Sequence, residues 1–303
     1  MIDVGKAKIA VVGAGLMGHG IAQVFALAGH EVKITDTVVK NLDSVAARIA
    51  ANLRDLGEDE RAVERVQPSV DLTDAVHDAD YVVEAVSENL ELKKKIFAEL
   101  ERRTRPDTIL ASNTSVIPIT AIMQDLSRRE RAVGTHWWNP PFLVPLVEVI
   151  GTQWTSPQVI ATTMALHAAA GKTPAHVKKD VPGFIGNRLQ HALWREAISL
   201  VEHGICDAKT VDDVVKASFG RRLAVLGPME NADQVGTDLT LAIHDVVLPA
   251  IENRPGPSPY LQDLVANGKL GFKSGEGFQK WSPEQQAALR ARVMRHLKAM
   301  RET

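Results

Sequence analysis

The chain has 303 residues, 45% of them hydrophobic, with 35 Lys and Arg set against 37 Asp and Glu for a net charge of −2. Such a length exceeds the usual reach of one hydrophobic core, so two domains are expected. Near-cancelled charge excludes the long-range positive field that gathers nucleic acid or anionic lipid, so any phosphate recognition has to be local.

The N-terminal MIDVGKAKIAVVG holds an apolar run too short for a signal peptide, and no run approaches the roughly 20 apolar residues of a membrane span. From Ala7 to about Val177, short β-branched runs (AKIAVVG, HEVKITD, DADYVVEAV, DTILASN) alternate with longer helical patterns. That rhythm predicts an α/β, Rossmann-type parallel sheet wound with helices. Gly13, Gly15 and Gly18, with Leu16 and Met17 between them, form GAGLMG after the first strand and at the head of a helix. The first glycine allows a tight turn, the second admits a pyrophosphate, and the third lets helix pack on strand. Asp36 closes the second strand, where its carboxylate can take both ribose hydroxyls and would repel a 2′-phosphate. NAD is therefore the expected cofactor, although a flavin can use the same turn. Val38 to Leu56 reads as a helix stopped by Gly57, followed by a charged helical excursion, EDERAVERV.

The later runs RAVGTHWW and LVPLVEVIG predict two strands joined by Asn139, Pro140 and Pro141. His136 ends the first of them and Glu148 stands in the second between Val147 and Val149. A carboxylate there needs a partner, and His136 is the natural one; a histidine also suits proton transfer near neutral pH. Spacing alone leaves a structural histidine open. A last strand near Thr173 to Lys178 ends at VPGF, and beyond it the pattern is almost wholly helical. The domains are placed at residues 1–181 and 182–303. In the second, Leu189, Leu193, Ile198 and Val201 predict an amphipathic core helix stopped by Gly204. Cys206 stands alone, which rules out an internal disulfide and fits a reducing cytoplasm; no metal site is expected. GKLGFKSGEGF is too rich in glycine for helix or strand interior.

Taken together, GAGLMGHGIA, VVEAVSENLELKKKIF, ASNTS, THWWNPP, LVEVI, DVPGFIGNRL, GPME and GFKSGEGF resemble the L-3-hydroxyacyl-CoA dehydrogenase family from about Lys8 to Trp281. The resemblance implies a nucleotide domain, then a helical domain that completes the active site and forms a homodimer. It implies oxidation of a 3-hydroxyacyl-CoA, such as 3-hydroxybutyryl-CoA, in fatty acid metabolism. Its catalytic base would be His136 with Glu148 as partner, and Ser115 and Asn187 would hydrogen-bond the reacting oxygen. NAD contacts carried over are Asp36, Glu88, Lys93, Asn113, Asn139 and Lys273. Read without the family, Glu88 and Lys93 are a solvated pair, Ser115 a turn hydroxyl, and Asn187 a helix cap.

Other stretches, NPPFLVPLVE and FGRRLAVLGPME, resemble the gulonate dehydrogenase and lambda-crystallin branch and a pyridine-carboxylate dehydrogenase of the same family, whose substrates lack coenzyme A. A non-catalytic, crystallin-like NAD binder is a remoter reading. Between Val38 and Val66 only Lys40, Arg48, Arg54, Arg61 and Arg65 are available for coenzyme A phosphates. Arg195, two turns after Asn187, could pair with a substrate carboxylate or with a neighbouring acid.

Overall fold

The computed structural model describes residues 2–301. Two compact units result, one running to Arg188 and rejoined from His296 onward, the other spanning Leu189–Arg295. The first holds one sheet of eight strands: β1 (Ile9–Val12), β2 (Val32–Thr35), β3 (Val66–Ser69), β4 (Tyr81–Glu84), β5 (Ile109–Ser112), β6 (Ala132–Trp137), β7 (Leu146–Ile150) and β8 (Thr173–Val177). Their order is β3-β2-β1-β4-β5-β6-β7-β8. All neighbours run parallel except β6 and β7. The order reverses between β1 and β4, and there a doubly wound sheet opens its ligand crevice at the strand C-termini.

Around the sheet lie α1 (Leu16–Leu27), α2 (Val39–Leu56), α3 (Leu72–Val76), α4 (Leu90–Arg103), α5 (Ile119–Met123) and α6 (Pro157–Ala169). Strand alternation sorts the core into two layers. Ile9 and Val11 pack with Phe25, Ile49 and Leu53 on one face, while Ala10 and Val12 pack with Phe97, Leu100 and Met123 on the other. Burial on both faces explains why these strands read as continuous apolar runs. β3, with the sequence VQPS, carries no such signal. It is an edge strand, where Pro68 is tolerated, and the charged stretch before it forms only a 3-10 turn, Glu60–Arg65.

α7 (Gly186–Glu202) runs out of the first unit and into the second. The start of α7 is bonded to strand and loop groups of the first unit, namely Glu148 and Ser115. The second unit continues with α8 (Ala208–Ala217), α9 (Pro228–Val235), α10 (Thr237–Val247), α11 (Pro259–Ala266) and α12 (Pro283–Ala299). The end of α12 returns to the first unit, where Lys298 pairs with Asp55 at 2.6 Å.

The expected core stripe on α7 needs correction. Leu189 is 58% exposed and Leu193 39%, and within Leu189–Arg295 only Ser199 and Leu264 are buried. Periodicity reveals an apolar face but not what covers it. Beside that stripe lies a cavity of about 630 Å³ lined by Trp194, Ile198, Val201, Leu261, Leu264 and Phe278. Among the described residues no helix is long and apolar enough to cross a membrane.

Candidate active site

The crevice begins at the turn between β1 and α1. Gly13 has φ +104°, and a Cβ there would stand 2.6 Å from the Ala85 carbonyl oxygen, so only glycine lets the chain turn so close to β4. A Cβ at Gly18 would meet the Gly13 carbonyl, whereas the Cβ position of Gly15 has no atom within 4 Å, which leaves an approach for a pyrophosphate. α1 has no side-chain cap and no acid in its first turn. The N–H groups at its start, those of Leu16 and Met17 among them, are thus left to an anionic ligand.

Asp36 borders this turn. Its Oδ2 accepts from Ala14 N at 2.7 Å and Asn41 Nδ2 at 3.0 Å, and its Oδ1 from Val38 N at 2.8 Å. Burial alone would raise the carboxyl, but these donors outweigh it and hold Asp36 below the usual carboxylate range. An ionised carboxylate with lone pairs to spare fits the ribose of NAD.

Opposite each other in the antiparallel pair stand His136 on β6 and Glu148 on β7. Cross-strand register brings His136 Nδ1 to 2.7 Å from Glu148 Oε2, with the residues 3% and 1% exposed. The other oxygen, Oε1, accepts from Ile185 N at 2.8 Å and Gly186 N at 3.0 Å at the N-terminus of α7. Burial would raise Glu148, and the bonds from His136, Gly186 and Ile185 together pull it below the usual range. A carboxylate at Nδ1 makes that nitrogen the donor and leaves the lone pair on Nε2. The imidazole is held between Trp138 and Phe184, with ring centroids at 5.2 and 5.6 Å. Phe184 sits at φ +51°, a left-handed conformation costing of order 1–3 kcal/mol that packing has to hold. Gly186 lets Trp138 in, since a Cβ there would be 2.5 Å from Cζ2.

From the dyad a hydrogen-bonded series leads to the other expected residues. Asn187 Nδ2 donates to the Ser115 carbonyl at 2.8 Å. Glu88 Oε1 accepts from Ser115 N, Val116 N and the Thr114 hydroxyl at 2.9, 3.1 and 2.6 Å. Lys93 Nζ lies 3.5 Å from Glu88 and 2.6 Å from Glu84, and Lys93 and Glu84 are both 0% exposed. The solvated pair that Glu88 and Lys93 would form without the family is therefore incorrect for Lys93. Glu84 also accepts from Ser112 Oγ at 2.7 Å. Sequence reasoning passed over Glu84, although a carboxylate ending the buried run YVVE was the same signal that singled out Asp36.

Asn113 Oδ1 accepts from Trp137 N at 3.0 Å and fastens β5 to β6. Asn139 is exposed on the loop after β6. Arg195 and Lys273 belong to the second unit: Arg195 is exposed on α7, and Lys273 lines the apolar cavity in the glycine-rich bend. Arg48 on α2, counted in the sequence only among the cations open to coenzyme A, donates to the Ala14 carbonyl at 2.6 Å.

The model of the 3-hydroxyacyl-CoA dehydrogenase NAD-binding domain matches residues 8–181, and that of the C-terminal domain of the same family matches residues 183–281. The chain belongs to the 3-hydroxyacyl-CoA dehydrogenase family. Like other members it is an NAD-dependent dehydrogenase. It is 38% identical over 300 residues to 5-formyl-3-hydroxy-2-methylpyridine 4-carboxylate 5-dehydrogenase of Mesorhizobium japonicum, covering 97% of each chain. It is also 38% identical over 288 residues to human mitochondrial hydroxyacyl-coenzyme A dehydrogenase, covering 90% of each. A crystal structure of a 5-formyl-3-hydroxy-2-methylpyridine 4-carboxylic acid 5-dehydrogenase, described as an NAD+-dependent dismutase, matches with TM-score 0.91 and 37% identity over 99% of this chain and 98% of that one. For a Mycobacterium tuberculosis FadB2 structure the TM-score is 0.75, at 35% identity over 91% and 99%.

Proposed function

We propose that this family member oxidises the hydroxyl of a small polar acid, or the hydrate of its aldehyde, carried without coenzyme A. The observation that carries this reading is the state of the cations on the excursion after β2. Arg54 pairs with Glu60 at 2.7 Å and Arg61 with Asp59 at 2.9 Å. Arg48 is bound to backbone carbonyls and Arg65 reaches the Ala26 carbonyl at 3.4 Å. Of these five cations only the Lys40 ammonium has no partner among the described residues, so a coenzyme A phosphate would have to share or displace an existing partner at the other four. The full-length likeness to a pyridine-carboxylate dehydrogenase agrees. The second reading, a 3-hydroxyacyl-CoA substrate, is favoured by the family match over both domains and by the human relative.

Chemically both readings ask the same of the chain. The turn at Gly13–Gly18 and Asp36 would hold NAD, with Glu88, Asn113 and Asn139 as further contacts and Lys93, buried beside Glu84 and Glu88, acting through Glu88. When bound, NAD supplies the acceptor for the hydride that leaves the carbinol carbon. His136 Nε2 takes the hydroxyl proton, and Glu148 fixes the tautomer and stabilises the imidazolium. The Ser115 hydroxyl and the second N–H of Asn187 donate to the substrate oxygen.

The helical unit, with Leu239, Leu241, Ile243, Val246 and Val247 of α10 all exposed, is the surface for a homodimer. Sedimentation would show it as twice the 33.0 kDa chain mass. The deciding assay follows NADH absorbance across acetoacetyl-CoA, free 3-hydroxy acids and hydroxymethyl or formyl pyridine carboxylates. Good turnover of the thioester with none of the free acids overturns the first reading. His136→Gln should cost orders of magnitude in turnover and leave NADH affinity nearly unchanged; an unaffected rate refutes the assigned base.

A further inference from the structure

The dinucleotide turn is gripped from behind by a residue outside its own motif. Arg48, nine residues into α2, sends Nη2 to the carbonyl of Ala14 at 2.6 Å and to that of Asn41 at 2.9 Å, and Nη1 to the carbonyl of Gly15 at 3.3 Å. Its Nε is buried without a partner among the described residues, and no carboxylate bonds the guanidinium. Arg48 is only half-buried and feels the Asp36 carboxylate without bonding it, so what marks it is geometry: one guanidinium gives three hydrogen bonds to backbone carbonyls, two of them in the turn.

We infer that Arg48 is a positioning residue for the cofactor, which aims the N–H donors of the turn at the pyrophosphate. The physical reason lies in the peptide group, whose C=O and N–H point in opposite directions across a planar trans bond. Fixing the Ala14 carbonyl therefore fixes Gly15 N–H, and fixing the Gly15 carbonyl fixes Leu16 N–H, each on the side away from Arg48. Those two N–H groups stand at the open Gly15 approach and at the start of α1. Asp36 holds the same segment from another side through Ala14 N at 2.7 Å. Together with His19, whose Nδ1 lies 2.9 Å from the Gly15 carbonyl, the two side chains leave the Ala14 and Gly15 peptides little freedom to rotate, so the anion site is formed before the ligand arrives. The planar fork of arginine presents one nitrogen to the Ala14 carbonyl and the other to that of Gly15, a fixed spread that the point charge of lysine does not match.

The test compares Arg48→Met and Arg48→Lys with the parent enzyme, using NAD saturation kinetics and competitive inhibition by ADP, which carries a pyrophosphate, and by adenosine, which does not. In Arg48→Met the KM for NAD and the Ki for ADP should rise about tenfold, while the Ki for adenosine and kcat stay within about twofold. Arg48→Lys should show the same ADP-selective loss in smaller measure, and it decides the matter if the methionine variant does not fold. Equal weakening of ADP and adenosine, a fall in kcat at unchanged KM, or unchanged NAD affinity in a folded variant would overturn the inference. Saturation of the parent enzyme by NAD checks cofactor use separately.

Discussion

Replacing Glu148 by glutamine tests the dyad with almost no change of shape. Oε1 of Glu148 is bound by two backbone N–H groups, from Ile185 and Gly186 at 2.8 and 3.0 Å. In Glu148→Gln the amide oxygen has to keep that side, because an NH2 there would face two donors. The NH2 then faces His136 Nδ1, which turns that nitrogen into an acceptor and moves the ring proton to Nε2, where the substrate proton should arrive. The variant also lacks the charge that stabilises the imidazolium. For charge centres about 4 Å apart, at an effective dielectric of about 20, that attraction is about 4 kcal/mol. At ~1.4 kcal/mol per decade, kcat should fall about a thousandfold. Single-turnover NADH formation measures the loss, and quenching of tryptophan fluorescence by NADH should give a Kd within about twofold of the parent. A variant that keeps more than a tenth of the parental kcat, with its fold intact, would refute the reasoning.

Glu84→Ala leaves the fully buried Lys93 ammonium with only Glu88, 3.5 Å away, as its acid; stability to urea should drop by about 3 kcal/mol or more, and a loss under about 1 kcal/mol would show the pair to be expendable. Lys172 donates to the carbonyls of Pro141 and Val144 on the loop between β6 and β7. Burial, with a smaller push from Arg301, lowers it from 10.5 to about 8. In the window between those values the unfolded chain holds the proton and the folded chain does not. Stability should therefore gain a rising contribution with pH there, and Lys172→Met should lose it; identical slopes in urea titrations at pH 8 and 10 would count against a buried ammonium.

Much of this site was legible in the sequence because the signals are local. A glycine turn has its own backbone requirements, as Gly13 shows at φ +104°. Asp36 and Glu148 stood out because an acid within or ending a buried strand needs partners wherever the strand goes. Alternation fixed the sheet, including the return of β7 along β6 after the prolines. The edge strand β3 escaped, since a strand exposed at the rim and carrying Pro68 needs no apolar run.

What the sequence determined by itself, then, was a set of covalently short patterns: the turn, the strand ends, and the helices with their caps. Tertiary structure alone decided which distant groups share a bond. Lys93 is buried on Glu84, Arg48 reaches back from α2 to the turn, and Lys172 crosses to the Pro141–Val144 loop. The apolar face of α7 is legible as a stripe, but the described residues cover it only in part. The reason is the same in each case: a long cationic side chain or an apolar face carries no record of its partner, and packing in three dimensions supplies one.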